Sequence, residues 1–152
     1  CDSSELKAYE ISNFSLDNYN CQHNLNYWKC GNFLGIGPGA HGRYLFKNNR
    51  FAYENIKNPE NWLENSSRGE LAIDAQTKLS KLDYFEEFVI MGLRLNEGIN
   101  LTQINEKFSK NFERKKLNQL INLGFIKIEN NQLIILPKGK LLLDSIVKEL
   151  LT

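Results

Sequence analysis

Cysteine, proline, histidine and methionine are all scarce in this chain: three, three, two and one among 152 residues. Three cysteines do not make a disulfide framework. Cys21 and Cys30 stand nine positions apart, too far for a CxxC knuckle, so the thiols read as reduced ones in a cytosolic protein. Forcing Cys21, His23, Cys30 and His41 into a zinc site requires spacings that match no common pattern. An excess of one charge is missing too, and a net charge of +1 argues for no strong electrostatic partner. Apolar runs such as Leu141-Leu142-Leu143 fall far short of the ~20 residues that span a bilayer. No charged and apolar leader precedes a small-residue cleavage site, so no secretory signal is read. There is no carboxylate pair, Ser–His–Asp set or activated cysteine to suggest hydrolytic or nucleophilic catalysis.

What is present is an ordinary apolar content of 41%, enough for one domain or a fragment with a small appended module. Leu6–Phe14 alternates loosely and predicts a strand. His23–Gly31 predicts a short helix or ordered loop, Asn32–Ile36 a short strand, and Gly37–Gly42 a glycine-rich turn. Arg43–Phe46 and Arg50–Glu54 predict a hairpin, because the Asn residues between them tolerate positive φ. Asn58 caps a helix running to about Asn65 with Pro59 at its first position. A module boundary is expected between Ser66 and Lys78. Beyond it the pattern predicts a helix over Asp83–Asn96 with Asp83 and Glu86 as a capping-box-like pair. A second helix over Thr102–Phe108 is capped by Thr102, and a third covers Phe112–Leu123 with Leu117, Leu120 and Ile121 inward. A hairpin around Asn130-Asn131 follows, then a closing helix, Lys140–Leu151, with Leu142, Leu143, Ile146, Val147 and Leu150 facing a core. That order is the one expected of a winged-helix-like module.

The stretch Cys21–Gly42, CQHNLNYWKCGNFLGIGPGAHG, holds both histidines and half of the glycines. Gly37–Gly42 formally matches GxGxxG, but Arg43-Tyr44-Leu45-Phe46 follows as a strand where a dinucleotide fold needs a helix. The glycines are then read as allowing close backbone approach. His23 beside Asn24, Tyr27 and Trp28 suits a planar ligand, since an imidazole can bind iron while rings stack. A histidine satisfied by an ordinary hydrogen bond is the competing reading. Arg114-Lys115-Lys116 lies where a winged-helix protein would read DNA. Residues 98–152 carry only nine Lys/Arg against five Asp/Glu, so a solvated face is the stronger reading.

Three blocks resemble a known family. YEISNF (Tyr9–Phe14), CQHNLNYW (Cys21–Trp28) and LGIGPGAHG (Leu34–Gly42) look like consecutive blocks of the oxygen-independent coproporphyrinogen III oxidase-like radical SAM proteins, closest to the haem-chaperone branch, HemW. Glu87–Leu95 with Glu97-Gly98, then Leu123-Gly124-Phe125 and Leu141–Ile146, resemble that family's C-terminal domain. The resemblance implies an α/β fold, α+β in this fragment: residues 1–66 as the last strands of an incomplete radical SAM βα barrel, and residues 67–152 as a winged-helix-like C-terminal module.

It also implies function. In the chaperone branch HNxxYW is associated with haem, so His23 is the candidate iron ligand, with Asn24, Tyr27 and Trp28 shaping the site. Gly37, Gly39 and Ala40 become candidate backbone contacts to S-adenosylmethionine. The family's CxxxCxxC, which holds a 4Fe-4S cluster, is absent, so this chain is read as the C-terminal part of a longer protein, inactive by itself in radical chemistry. The expected role is haem binding and delivery in the cytoplasm. Coproporphyrinogen III oxidation is the enzymatic alternative, and a nucleic-acid-binding module is the alternative of another class. The implied partners are haem or porphyrin and a haem-acceptor protein. A peripheral contact with a membrane protein and pairing of two copies through strand edges are further expectations. No nucleic acid and no membrane span are expected.

Overall fold

The computed structural model describes residues 5–152. The chain is mixed α/β and divides into two compact units. One joins the chain up to Cys30 with Phe85–Thr152, and the other is Gly31–Tyr84.

The first unit begins with a small antiparallel hairpin, Lys7–Ala8 (β1) against Phe14–Ser15 (β2). The predicted single strand folds back because Glu10 is fully buried and gathers the turn onto its carboxylate. Its Oε1 accepts from the Ser12 amide at 3.0 Å and from the Asn13 side-chain amide. A two-turn helix follows, Gln22–Trp28 (α1), and ends at Cys30, which is buried with φ 51°.

The second unit is built on a three-stranded antiparallel sheet. His41–Phe46 (β3) and Asn49–Asn55 (β4) form the predicted hairpin. Lys47 and Asn48 at its tip have φ of 46° and 61°, the two-residue turn that matches strand twist. Asn32–Ile36 does not become a strand. Phe33 pairs with Arg43 through reciprocal bonds of 2.8 and 2.9 Å, but the Gly35 amide donates to the Tyr53 hydroxyl at 2.9 Å instead of to a strand. Pro59–Ser67 (α2) starts where predicted: Asn58 is its N-cap and accepts from the Asn61 amide at 2.9 Å. Ile73–Lys78 (β5) pairs with β4, giving the sheet order β3-β4-β5.

The helix Lys81–Gly92 (α3) starts two residues before the predicted position. Ser80 caps it: the Asp83 amide donates to Ser80 Oγ and the Ser80 amide to Asp83 Oδ2, both at 3.0 Å. Asp83 is therefore the fourth and last residue of a capping box, not its first. From Phe85 onward this helix belongs to the first unit. Next come Ile99–Asn100 (β6), Leu101–Phe108 (α4), Arg114–Asn122 (α5), Ile126–Glu129 (β7), Gln132–Ile135 (β8), the single turn Pro137–Lys140 (α6) and Leu143–Leu151 (α7). The second sheet has the order β6-β8-β7. Asn100, not Thr102, caps α4 by accepting from the Gln103 amide at 3.0 Å. A three-helix, hairpin and closing-helix order around one sheet is the winged-helix-like arrangement.

The core of this unit is aromatic at one end. Phe85 and Phe88 pack on Phe108 with ring centroids 5.5 and 5.4 Å apart, and Phe85 lies 6.0 Å from Phe112. Leu133, Ile126, Leu93 and Val89 are fully buried beside them. Ile121 and Leu142, both expected inward, are exposed. The closing helix breaks into α6 and α7, so Leu142 falls at a junction and its outward side is wet.

Asn96 ties the chain's beginning to this core. Its amide donates to Tyr9 O at 3.1 Å, its side-chain amide to Ala8 O, and its Oδ1 accepts from Lys140 Nζ at 2.6 Å. Glu10 bridges to Leu95 beside it.

Candidate functional site

The stretch Cys21–Gly42 falls into two parts, α1 in one unit and the glycine-rich turn in the other. In α1 the side chains sort by helical spacing. His23 and Tyr27, four apart, lie together with ring centroids 4.8 Å apart and planes at 74°. His23 is exposed, and its ring nitrogens accept and donate no hydrogen bond among the described residues. Cys21, one residue before the helix, is exposed and free.

Asn24 and Trp28, also four apart, serve the other side. Asn24 Nδ2 donates to the Tyr9 hydroxyl at 3.2 Å. Arg94 places its guanidinium 4.9 Å from the centroid of the Trp28 ring, a cation–π contact. Lys29, just after the helix, pairs with Glu97 at 3.0 Å. These three contacts fasten α1 to the hairpin and to the chain after α3. The structure thus brings His23 and Tyr27 together and gives Asn24 and Trp28 to the docking of the helix.

In the other unit the turn Gly37–Gly42 is braced from β4. Buried Asn55 donates through Nδ2 to Gly35 O at 3.1 Å and Gly37 O at 3.0 Å. Its backbone amide donates to Ala40 O at 2.9 Å, and the Gly39 amide donates to Ile56 O at 3.0 Å. Ala40's own amide donates to Gly37 O at 3.3 Å. A ligand contact at Ala40 therefore has the second lone pair of its carbonyl to use. Gly37 has φ 110°, and a Cβ there would meet nothing within 4 Å, so the backbone is open to approach. Gly42 is needed for packing: a Cβ would lie 2.1 Å from the Tyr53 ring. Tyr53 and Asn55, the two braces, carry no motif signature; their signal is only that both sit on the inward-facing period of β4.

His41 is exposed and sits across from Glu54, with Nε2 3.8 Å from Glu54 Oε1. Lys57 Nζ holds the same oxygen at 3.0 Å, and that hydrogen bond raises the ammonium pKa above its usual 10.5. Among the described residues no group of three or more His, Cys, Asp or Glu is placed to hold a metal. Among the described residues only Cys21 and Cys30 carry thiols, and two thiols do not supply the converging thiolates an iron–sulfur cluster needs. No described helix is long and apolar enough to cross a membrane.

Comparison with known proteins gives these parts a setting. Residues 79–142 match the HemN C-terminal domain family. The mitochondrial radical S-adenosyl methionine domain-containing protein 1 of Dictyostelium discoideum is 32% identical over 96% of this chain. The heme chaperone HemW of Buchnera aphidicola subsp. Schizaphis graminum is 33% identical over 95% of it. The solved structure of the Escherichia coli coproporphyrinogen III oxidase HemN, described as a radical SAM enzyme, superposes over 99% of this chain with a TM-score of 0.70 at 15% identity. The chain spans 38% of the length of each of these three proteins.

Proposed function

We propose that this chain supplies the haem-holding helix of a HemW-type chaperone, a reading supported by the match of residues 79–142 to the HemN C-terminal domain family and by the similarity of nearly the whole chain to a heme chaperone HemW. The observation that carries the proposal is the exposed, unbonded imidazole of His23 with Tyr27 set edge-on beside it. A neutral imidazole nitrogen is a haem-iron ligand, and it needs no deprotonation partner to serve as one.

Each member of the motif has a task in this reading. His23 ligates the iron of the incoming haem from the solvent side. Tyr27 limits rotation of the imidazole and offers an aromatic edge to the porphyrin. Asn24, through Tyr9, and Trp28, through Arg94, keep α1 in place while His23 changes partners. An exposed single ligand suits cargo that must be released to an acceptor protein. S-adenosylmethionine, the group that radical SAM relatives are named for, would meet the open backbone at Gly37, the backbone of Gly39 and the carbonyl of Ala40. It supplies radical chemistry only together with a cluster, and the residues here do not hold one. A cytoplasmic setting, in keeping with Cys21 and Cys30 standing outside any disulfide, is part of the same proposal.

The test is a haem titration followed in the Soret region, with the unaltered chain and with His23→Ala. The expected result is a saturable ligated-haem spectrum that the substitution abolishes or weakens at least tenfold. Equal affinity and an unchanged spectrum for the variant overturn the reading of His23 as ligand.

A further inference from the structure

The break between α6 and α7 borders an open groove of about 320 Å³ within the first unit. Leu142 and Leu143 from the break and Ile11 from the turn between β1 and β2 give it apolar walls. Arg94 and Lys140 line it with two cations, and Asp144 lines it with one carboxylate. Its ionic side chains therefore sum to a single positive charge.

Arg94 is the informative member. It is half-buried, and its guanidinium lies over the Trp28 ring. No carboxylate among the described residues pairs with it, Asp144 included, and its Nε is buried without an acceptor. A partly desolvated cation without a counter-ion is costly, and an aromatic face offsets only part of that cost. The terminal amino groups are not among the buried orphans, so they stay open to solvent. That pair of donors is the edge of the guanidinium that takes a carboxylate in two parallel hydrogen bonds. Lys140 stands ready beside it. Its Nζ donates to Asn96 Oδ1 at 2.6 Å, which fixes the ammonium in place and leaves two of its three protons for a ligand.

We propose that this groove binds a monocarboxylate carried on a flexible apolar chain. The carboxylate sits between Arg94 and Lys140, and the chain lies along Ile11, Leu142 and Leu143. Charge decides against a phosphate, which carries about −1.5 to −2 at neutral pH. Such an anion would exceed the single positive charge of the lining and would face Asp144, whereas one carboxylate balances it. The proposal uses neither His23 nor Tyr27 and stands apart from haem binding.

Calorimetric titration of the chain with octanoate, octanol and inorganic phosphate tests it. Octanoate should bind saturably at millimolar concentration. Octanol lacks the charge and phosphate lacks the chain, so each should bind at least about tenfold more weakly. Lys140→Gln should weaken octanoate binding about tenfold, and Arg94→Gln by at least as much. Arg94 also supports α1 through Trp28, so Leu141→Asp supplies a second reading. That side chain lines the groove and is 91% exposed. The added carboxylate should repel octanoate and leave the thermal midpoint unchanged. No saturable octanoate binding, octanol or phosphate bound as tightly as octanoate, or an unchanged octanoate affinity in Lys140→Gln and Leu141→Asp would each overturn the proposal. No haem enters these titrations, so their failure leaves the reading of His23 where it stands.

Discussion

At the scale of single residues, α1 separates duty from support by one step along the helix. His23 is exposed and meets Tyr27 edge-on, whereas Trp28 carries a guanidinium on its face. His23→Ala should therefore leave stability within about 0.5 kcal/mol. Trp28→Ala should cost about 2–3 kcal/mol through lost packing and the lost cation–π contact. Denaturant unfolding of the two variants checks this, and equal losses would show that the division is wrong. Asn55 is the corresponding support for the glycine-rich turn. Asn55→Ala takes the side-chain donor from the Gly35 carbonyl and leaves the Gly37 carbonyl with the Ala40 amide alone, and should cost about 2 kcal/mol. Unfolding followed by circular dichroism would measure that loss.

At the scale of elements, local chemistry that names its own partner was legible. Lys47-Asn48 and Asn130-Asn131 both adopt positive φ at hairpin tips, and Asn58-Pro59 starts α2 as a cap and first-turn pair should. Caps with competing candidates were misread. Ser80 and Asp83, not Asp83 and Glu86, open α3, and Asn100 precedes Thr102 at α4. The two-residue strand β6 has too few residues to show any period. The Leu6–Phe14 alternation concealed a turn because its organiser, Glu10, looks like a solvated residue in sequence and is buried in the fold. The HNxxYW stretch was legible as a motif but not as two faces. Four-residue spacing of His23–Tyr27 and Asn24–Trp28 was the signal available for that division.

The capping box of α3 also carries a pH dependence. Hydrogen bonds from the Ser80 side chain and then its backbone hold the Asp83 carboxyl below its usual 3.8. A depressed folded pKa stabilises the fold fully above the unfolded value, and that contribution is lost as pH falls through the folded one. Thermal midpoints measured downward from pH 5 should therefore fall less steeply in Asp83→Asn than in the unaltered chain. Identical slopes would remove Asp83 from the acid response.

At the scale of the whole molecule, the first unit is assembled from both ends of the chain, and no sequence period announces that. Asn96 bonds Tyr9 and Ala8, Glu10 bridges to Leu95, and Lys29 pairs with Glu97. Residues 85–152 prepared without the first 30 should melt lower than the same unit in the full chain, by about 10 °C or more for a loss of a few kcal/mol. Calorimetry of both would decide it; equal midpoints would mean that the N-terminal hairpin and α1 are passengers.

The joining of Tyr9 and Glu10 to Leu95 and Asn96 also sets an order in time. A ribosome releases Tyr9 long before Leu95, so α1 emerges with no surface to dock on. Closing a loop of about 85 residues costs on the order of 4 kcal/mol of chain entropy, and contacts this distant in sequence form late. The intervening sheet β3-β4-β5 can shorten that loop by folding first, because its own pairings join residues no farther apart than Phe51 and Lys78. The helix α1 then docks only after the C-terminal module has been made, so a stalled or truncated chain never holds His23 in a fixed place.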